Sequence, residues 1–215
     1  MSKLRTYVAL TTVVALVTVV SGCGTKSVAS TNSSGSIQQT QQPQQPQQAG
    51  GSTQPAATQP SPAGDIPDNQ LFVNYVSQAG RYSLDVPEGW ARTVKGSDVS
   101  FKDKLNSVQV VVTKVSSPPT LDSVNKSQVV ELKTKGRAVK VTSVKNVTLP
   151  GGSAVVISYE ENSTPDSVTG KQDRLENNQY FFDSNGEMAT LTLSAPLGAD
   201  NVDQWNKMSG SFRWR

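Results

Sequence analysis

Histidine is absent from these 215 residues, and cysteine occurs once, at Cys23. Without His and without a second Cys, the usual nitrogen and sulfur ligand sets for zinc, iron and copper cannot be assembled. Ser-His-Asp and Cys-His nucleophilic catalysis are excluded for the same reason, as is any disulfide within the chain. Charge is sparse too: Asp, Glu, Lys and Arg make up 17% of the residues, and the net charge is +3. No basic stripe is interleaved with aromatics, so no nucleic-acid partner is expected. Nothing in the chain implies a cofactor.

What is present falls into three zones. "MSKLR" supplies Lys3 and Arg5, and Thr6–Val20 then runs fifteen residues without a charge. That is the length of a signal-peptide core and is short of the roughly 20 apolar residues a membrane span needs. Small residues Ser21 and Gly22 follow, then Cys23. A lone cysteine here can be a buried small hydrophobe, a reactive thiol or an attachment point. "VSGC" at Val20–Cys23 resembles the bacterial lipobox, in which an aliphatic residue and two small ones precede an invariant Cys. The resemblance implies a signal peptide over 1–22, cleavage between Gly22 and Cys23, and a diacylglyceryl group on the Cys23 sulfur. Two acyl chains give stable anchoring. The expected location is the cell membrane, lipid-anchored and facing the extracytoplasmic side.

Residues 24–67 are built from Gln, Pro, Ser, Thr, Gly and Ala, including "QQPQQPQQ". Such a composition buries too little apolar area to offset its ordering entropy. With Cys23 it reads as a lipidated, disordered linker over 23–67, spanning roughly 35–40 Å as a flexible coil. The remainder, 68–215, reads as one folded domain, large enough for a core without disulfides. Its sequence halves differ in sign. Arg92 to Lys145 holds 11 Lys and Arg against 4 Asp and Glu, while Asn146 to Lys207 holds 3 against 9.

Strand patterns dominate the domain. "RYSLDV" alternates, with Tyr82, Leu84 and Val86 on one face. "DVSFKD" sets Val99 and Phe101 on one side, and "NSVQVVVTKV" is β-branched on both faces, as a central strand is. A single helix is expected from a Thr120 or Asp122 cap to Gly136, with Leu121, Val124, Gln128 and Leu132 on its stripe. "AVKVTSVKNVTL" and "SAVVISYEE" form a hairpin about "PGG"; "ENNQYFFD" and "EMATLTLSAP" form another about Asn185–Gly186. A last helix, capped by Asp200, would turn Val202, Trp205 and Met208 inward. The expected class is α+β: an antiparallel sheet of six to seven strands covered by a middle helix and a C-terminal helix.

"YSLDVPEGW" resembles the opening of PsbP-like domains, and "YFFDSNGEMATLTLSAP" with a Trp-bearing helix and "SFRW" resembles their close. The fold that resemblance implies also includes the Ran-binding Mog proteins. It implies a largely non-enzymatic domain, a binding or assembly module with a protein partner. An extrinsic, calcium-retaining subunit of photosystem II is the family's named case. This chain departs from it in having no His and a long tether.

Two groups of residues remain as candidate sites. The carboxylate pairs Glu160–Glu161 and Asp173–Glu176 can bind Ca²⁺ or serve a carboxylate-dependent hydrolase of the cell envelope. Neither has EF-hand spacing, and solvated loops and strand ends are the simpler account. Lys133, Lys135, Arg137 and Lys140 lie close in sequence and can meet anionic lipid heads or an acidic partner. Cations suited to a helix C-terminus explain them equally well.

Overall fold

The computed structural model describes residues 64–79 and 81–215. The lipobox, Gly22, Cys23 and nearly all of the linker lie outside the described residues. The elements run β1 (Phe72–Val76), β2 (Tyr82–Pro87), β3 (Ala91–Lys95), β4 (Asp98–Asp103), β5 (Asn106–Lys114), α1 (Leu121–Lys126) and α2 (Gln128–Lys135). They continue as β6 (Lys140–Leu149), β7 (Gly152–Asn162), β8 (Arg174–Ser184), β9 (Glu187–Pro196), α3 (Val202–Ser211) and β10 (Arg213–Trp214). The class is α+β, as the sequence predicts. The strands form two sheets rather than one: a seven-stranded sheet ordered β3-β4-β5-β9-β8-β7-β6 and a three-stranded sheet ordered β1-β2-β10.

Both hairpins form where the turn residues place them. Asn185 and Gly186 have φ of 51° and 76°, the left-handed pair that a two-residue turn needs to follow the strand twist. β9 alternates as expected, with Ala189, Leu191, Leu193 and Ala195 all fully buried. β5 is a central strand, flanked by β4 and β9.

The large sheet separates two cores. On one face Tyr180, Phe182, Leu191, Leu193 and Val110 pack with Tyr82, Leu84 and Val86 of the small sheet and with Trp205, Met208 and Phe212 at α3. An aromatic chain binds these layers. Phe182 stacks on Phe212 at 4.4 Å, Phe212 on Tyr82 at 5.8 Å, and Tyr75 meets Phe101 edge-on at 5.2 Å. Such pairs add stabilisation beyond area burial. On the other face Val155, Ile157, Tyr159, Phe181 and Met188 meet Val124 and Val129 of the middle helices.

Four expectations about the helices are corrected. The middle helix is two helices. Thr120 caps α1 in a reciprocal capping box with Ser123. The run is interrupted at Ser127, whose backbone turns to φ −117°, ψ −66° and whose hydroxyl donates back to the Ser123 carbonyl at 2.6 Å, a bond of the kind that bends helices. Gly136 follows α2 as its C-cap, as read. Leu121, expected on the buried stripe, is exposed. In α3 the N-cap is Asn201 rather than Asp200, and Val202 points outward at 64% exposure. Its helical spacing to Trp205 is right, but it lies at the helix's first position, where the core has ended.

Candidate functional site

One end of the large sheet gathers the start of β6, the end of β7, the start of β8 and the β9–α3 turn. A cavity of about 290 Å³ opens there between the sheet and α3. Ser158, Glu160, Glu176 and Asn178 of β7 and β8 line it, facing Trp205 and Asn206 of α3. Leu197 and Val202, 49% and 64% exposed, border it.

The carboxylate pairs read from the sequence are taken apart and recombined. Glu160 and Glu161 are neighbours on a strand, so they point to opposite faces. Asp173 lies before β8 and ion-pairs with Lys171 at 3.4 Å. Register instead sets Glu160 directly opposite Glu176, one acid from each pair. Their environments differ. Lys140 Nζ donates to Glu160 Oε1 at 3.0 Å and Arg174 to Oε2 at 3.2 Å. Those bonds, Lys140's foremost, hold the Glu160 carboxyl below the usual range. Glu176 is shifted upward by burial, against the pull of a hydrogen bond from the Gly198 backbone. Among the described residues no three acids or other ligating side chains converge as a metal centre.

Arg174 is the hub of this end. Its guanidinium also donates to Ala138 O at 2.7 Å and to Asn162 Oδ1 at 3.1 Å. It thereby ties the α2–β6 connection, β7 and β8 together.

The basic cluster is divided. Lys140 serves Glu160 at the end cavity. Lys135 pairs with Glu131 one helical turn away, at 2.6 Å. Lys135 and Arg137 border a second hollow of about 510 Å³ on the helix-bearing face, over Val111, Phe181 and Met188. Glu161 lines that hollow, and burial raises its pKa against the attraction of Arg137. Lys133 stands exposed on α2. The four cations therefore form no single patch.

The chain enters the domain beside the end cavity. Asn201, 2% exposed, accepts from Ile66 N at 2.7 Å and donates to Gly64 O at 3.0 Å. Gln204 donates to Ile66 O at 3.2 Å. The side chain that would have capped α3 is used to clip the domain's first residues to it. Trp205 is buried, Trp90 is half-buried against the core, and Trp214 meets Phe212 edge-on at 5.7 Å.

The family profile that matches this chain is PsbP, over residues 70–213, most of its length. The chain belongs to the PsbP family. The match spans the sheets and helices just described, including every residue that lines the end cavity. No curated protein matches. Among solved structures, this PsbP-family chain is similar to cyanobacterial PsbP (CyanoP) from Synechocystis sp. PCC 6803. That match has 17% identity and a TM-score of 0.48, and covers 72% of this chain and 100% of the other. It is similar to the Ran-binding protein MOG1P of Saccharomyces cerevisiae at 10% identity and TM-score 0.47, covering 67% and 95%. LpqN, involved in cell envelope biogenesis of Mycobacterium tuberculosis, aligns at 16% identity and TM-score 0.40, covering 72% and 99%.

Leu197, Val202, Asn178 and Asn206 are absent from the sequence candidates. Leu197 carried one usable signal, a large aliphatic residue beside Gly198 in a strand-to-helix turn. The two Asn residues carried none.

Proposed function

We propose that this PsbP-family domain is a non-catalytic binding module, held at the extracytoplasmic face of a membrane through lipid on Cys23. Its recognition surface is the end cavity. The observation that carries this is the pair Leu197 and Val202, two large aliphatic side chains exposed at the rim of a hollow that mixes polar and apolar lining. Apolar side chains around a cavity with a few convergent polar groups are the usual makeup of a binding site. Both oxygens of Glu160 are already engaged by Lys140 and Arg174, which favours recognition over acid–base chemistry there. The lipobox and the linker composition support the anchor.

Photo-crosslinking from position 202 of the full chain in its native membrane tests the site. One discrete adduct is expected, and it should disappear when Leu197→Asp is added. An adduct pattern indifferent to Leu197→Asp would remove the end cavity as the docking surface. The anchor is checked separately, by mass spectrometry of the membrane-associated protein. A lipidated Cys23 at the N-terminus is expected, and a chain with an unmodified thiol that starts at Met1 would refute it.

A further inference from the structure

Most strand edges of this domain carry a device that discourages pairing with another chain. β3 has Arg92 and Lys95; β6 has Lys140, Lys145 and an irregularity between Val141 and Ser143. The far side of β2 is closed by β10, and its Asp85 N–H donates to the Ser211 hydroxyl at 2.7 Å. Pro87, the next outward residue of β2, has no N–H to satisfy.

β1 has none of these. Its sequence, FVNYV, holds no charge and no proline, and its register against β2 is unbroken. Leu71 O accepts from Glu88 N, and Ser77 N donates to Tyr82 O. Residues 71, 73, 75 and 77 thus turn their backbone groups to β2. Phe72, Asn74 and Val76 turn theirs the other way, where no strand pairs among the described residues. Asn74 and Val76 are exposed, as are the flanking Leu71 and Val73.

We propose that this edge pairs antiparallel with the same edge of a second copy, about a two-fold axis at Asn74. The strand is self-complementary in that register. Phe72 falls opposite Val76 of the second copy, Asn74 opposite Asn74, and Val76 opposite Phe72. All are outward-facing positions, so each pair exchanges both its backbone bonds, about six in all. The side chains agree with the backbone. Phe72 meets Val76 and Val73 meets Tyr75, each twice, and aromatic with β-branched pairs stabilise antiparallel strands. No charge on the strand opposes a like charge. The contact is isologous and closes on itself, so it makes a dimer and not a fibre. It rests on neither the lipid anchor nor the end cavity.

The test uses the full chain. With Asn74→Cys, mild oxidation should give a disulfide-linked dimer, since facing residues lie within bridging reach across an antiparallel ladder. The unmodified chain, which carries only Cys23, sets the background. Thr148→Cys on the β6 edge is the matched control. Sedimentation velocity of the full chain in detergent should show a concentration-dependent dimer. Asn74→Lys, which sets two Lys face to face on the axis, should weaken it at least about tenfold. Asn74 Nδ2 donates to Asp85 Oδ1 at 2.9 Å between exposed groups, and a Lys there can pair with the same carboxylate, so at concentrations where the chain is monomeric the Asn74→Lys unfolding midpoint should change little. Crosslinking no better than Thr148→Cys, or a dimer unmoved by Asn74→Lys, would overturn the proposal. So would a monomer whose β1 edge takes up a strand of another protein.

Discussion

The two faces of the large sheet are built to different standards. The face toward the small sheet is thick. Tyr82, Phe182, Leu191, Leu193, Met208 and Phe212 are all at or below 1% exposure, and aromatic rings run through it without a break. The face toward α1 and α2 is thin. Two short helices contribute Val124 and Val129 as their buried side chains, and the rest of that face ends in an open hollow beside Arg137 and Glu161. The difference teaches that enclosure, and the stability it brings, is concentrated on one side of the sheet. The thick face sets the fold, and the thin face and the sheet end leave surface free.

Truncation at the centre of the thick face should have the largest effect. Phe212 touches Phe182, Tyr82 and Trp214, so Phe212→Ala should cost about 3–5 kcal/mol in denaturant unfolding. Gly151→Ala should be comparably harmful without touching the core. A Cβ there would meet the Phe212 carbonyl oxygen at 2.0 Å, so the β6–β7 turn and the end of α3 would have to part. On the thin face Ile157→Ala should cost less, about 2–3 kcal/mol, because the helices above can settle into the space. If Ile157→Ala proves as costly as Phe212→Ala, the contrast between the faces fails.

Smaller still is the clip at the domain's start. Asn201→Ala strands the buried Ile66 N–H, while the Gly64 carbonyl keeps its bond from Asn106 Nδ2 at 2.9 Å, and should cost about 1–3 kcal/mol by thermal unfolding. The smallest expected effect depends on pH. Glu161 in the thin-face hollow has its pKa raised by burial above the ordinary value of 4.5. The folded state therefore holds this proton more tightly than the unfolded chain. The associated stability is full below the ordinary value and is lost as pH rises through the raised one. Glu161→Gln should flatten that decline, measured as the unfolding midpoint against pH. An unchanged slope would mean Arg137 offsets the burial completely.

The sequence was most legible where one local rule acts alone. Alternation located Tyr82, Leu84, Val86 and the β9 core residues, and Asn185–Gly186 located a hairpin, because period and turn chemistry are properties of adjacent residues. It was least legible where the partner lies far along the chain. Asn201, not Asp200, begins α3, and its side chain serves Gly64 and Ile66, some 135 residues earlier. Glu160 and Glu176 look unrelated in sequence and become partners through β7–β8 register.

By itself, then, the sequence determined the class, the strands with strong period-two patterns, both hairpins and the family, all of which rest on short-range stereochemistry and apolar spacing. Tertiary structure alone decided that the strands divide between two sheets. It also decided that the acids and cations near residues 133–176 separate onto two faces, and that Val202 and the outer edge of β1 are left uncovered among the described residues. These depend on which distant surfaces come together, and burial is a property of the packed whole rather than of any stretch of chain.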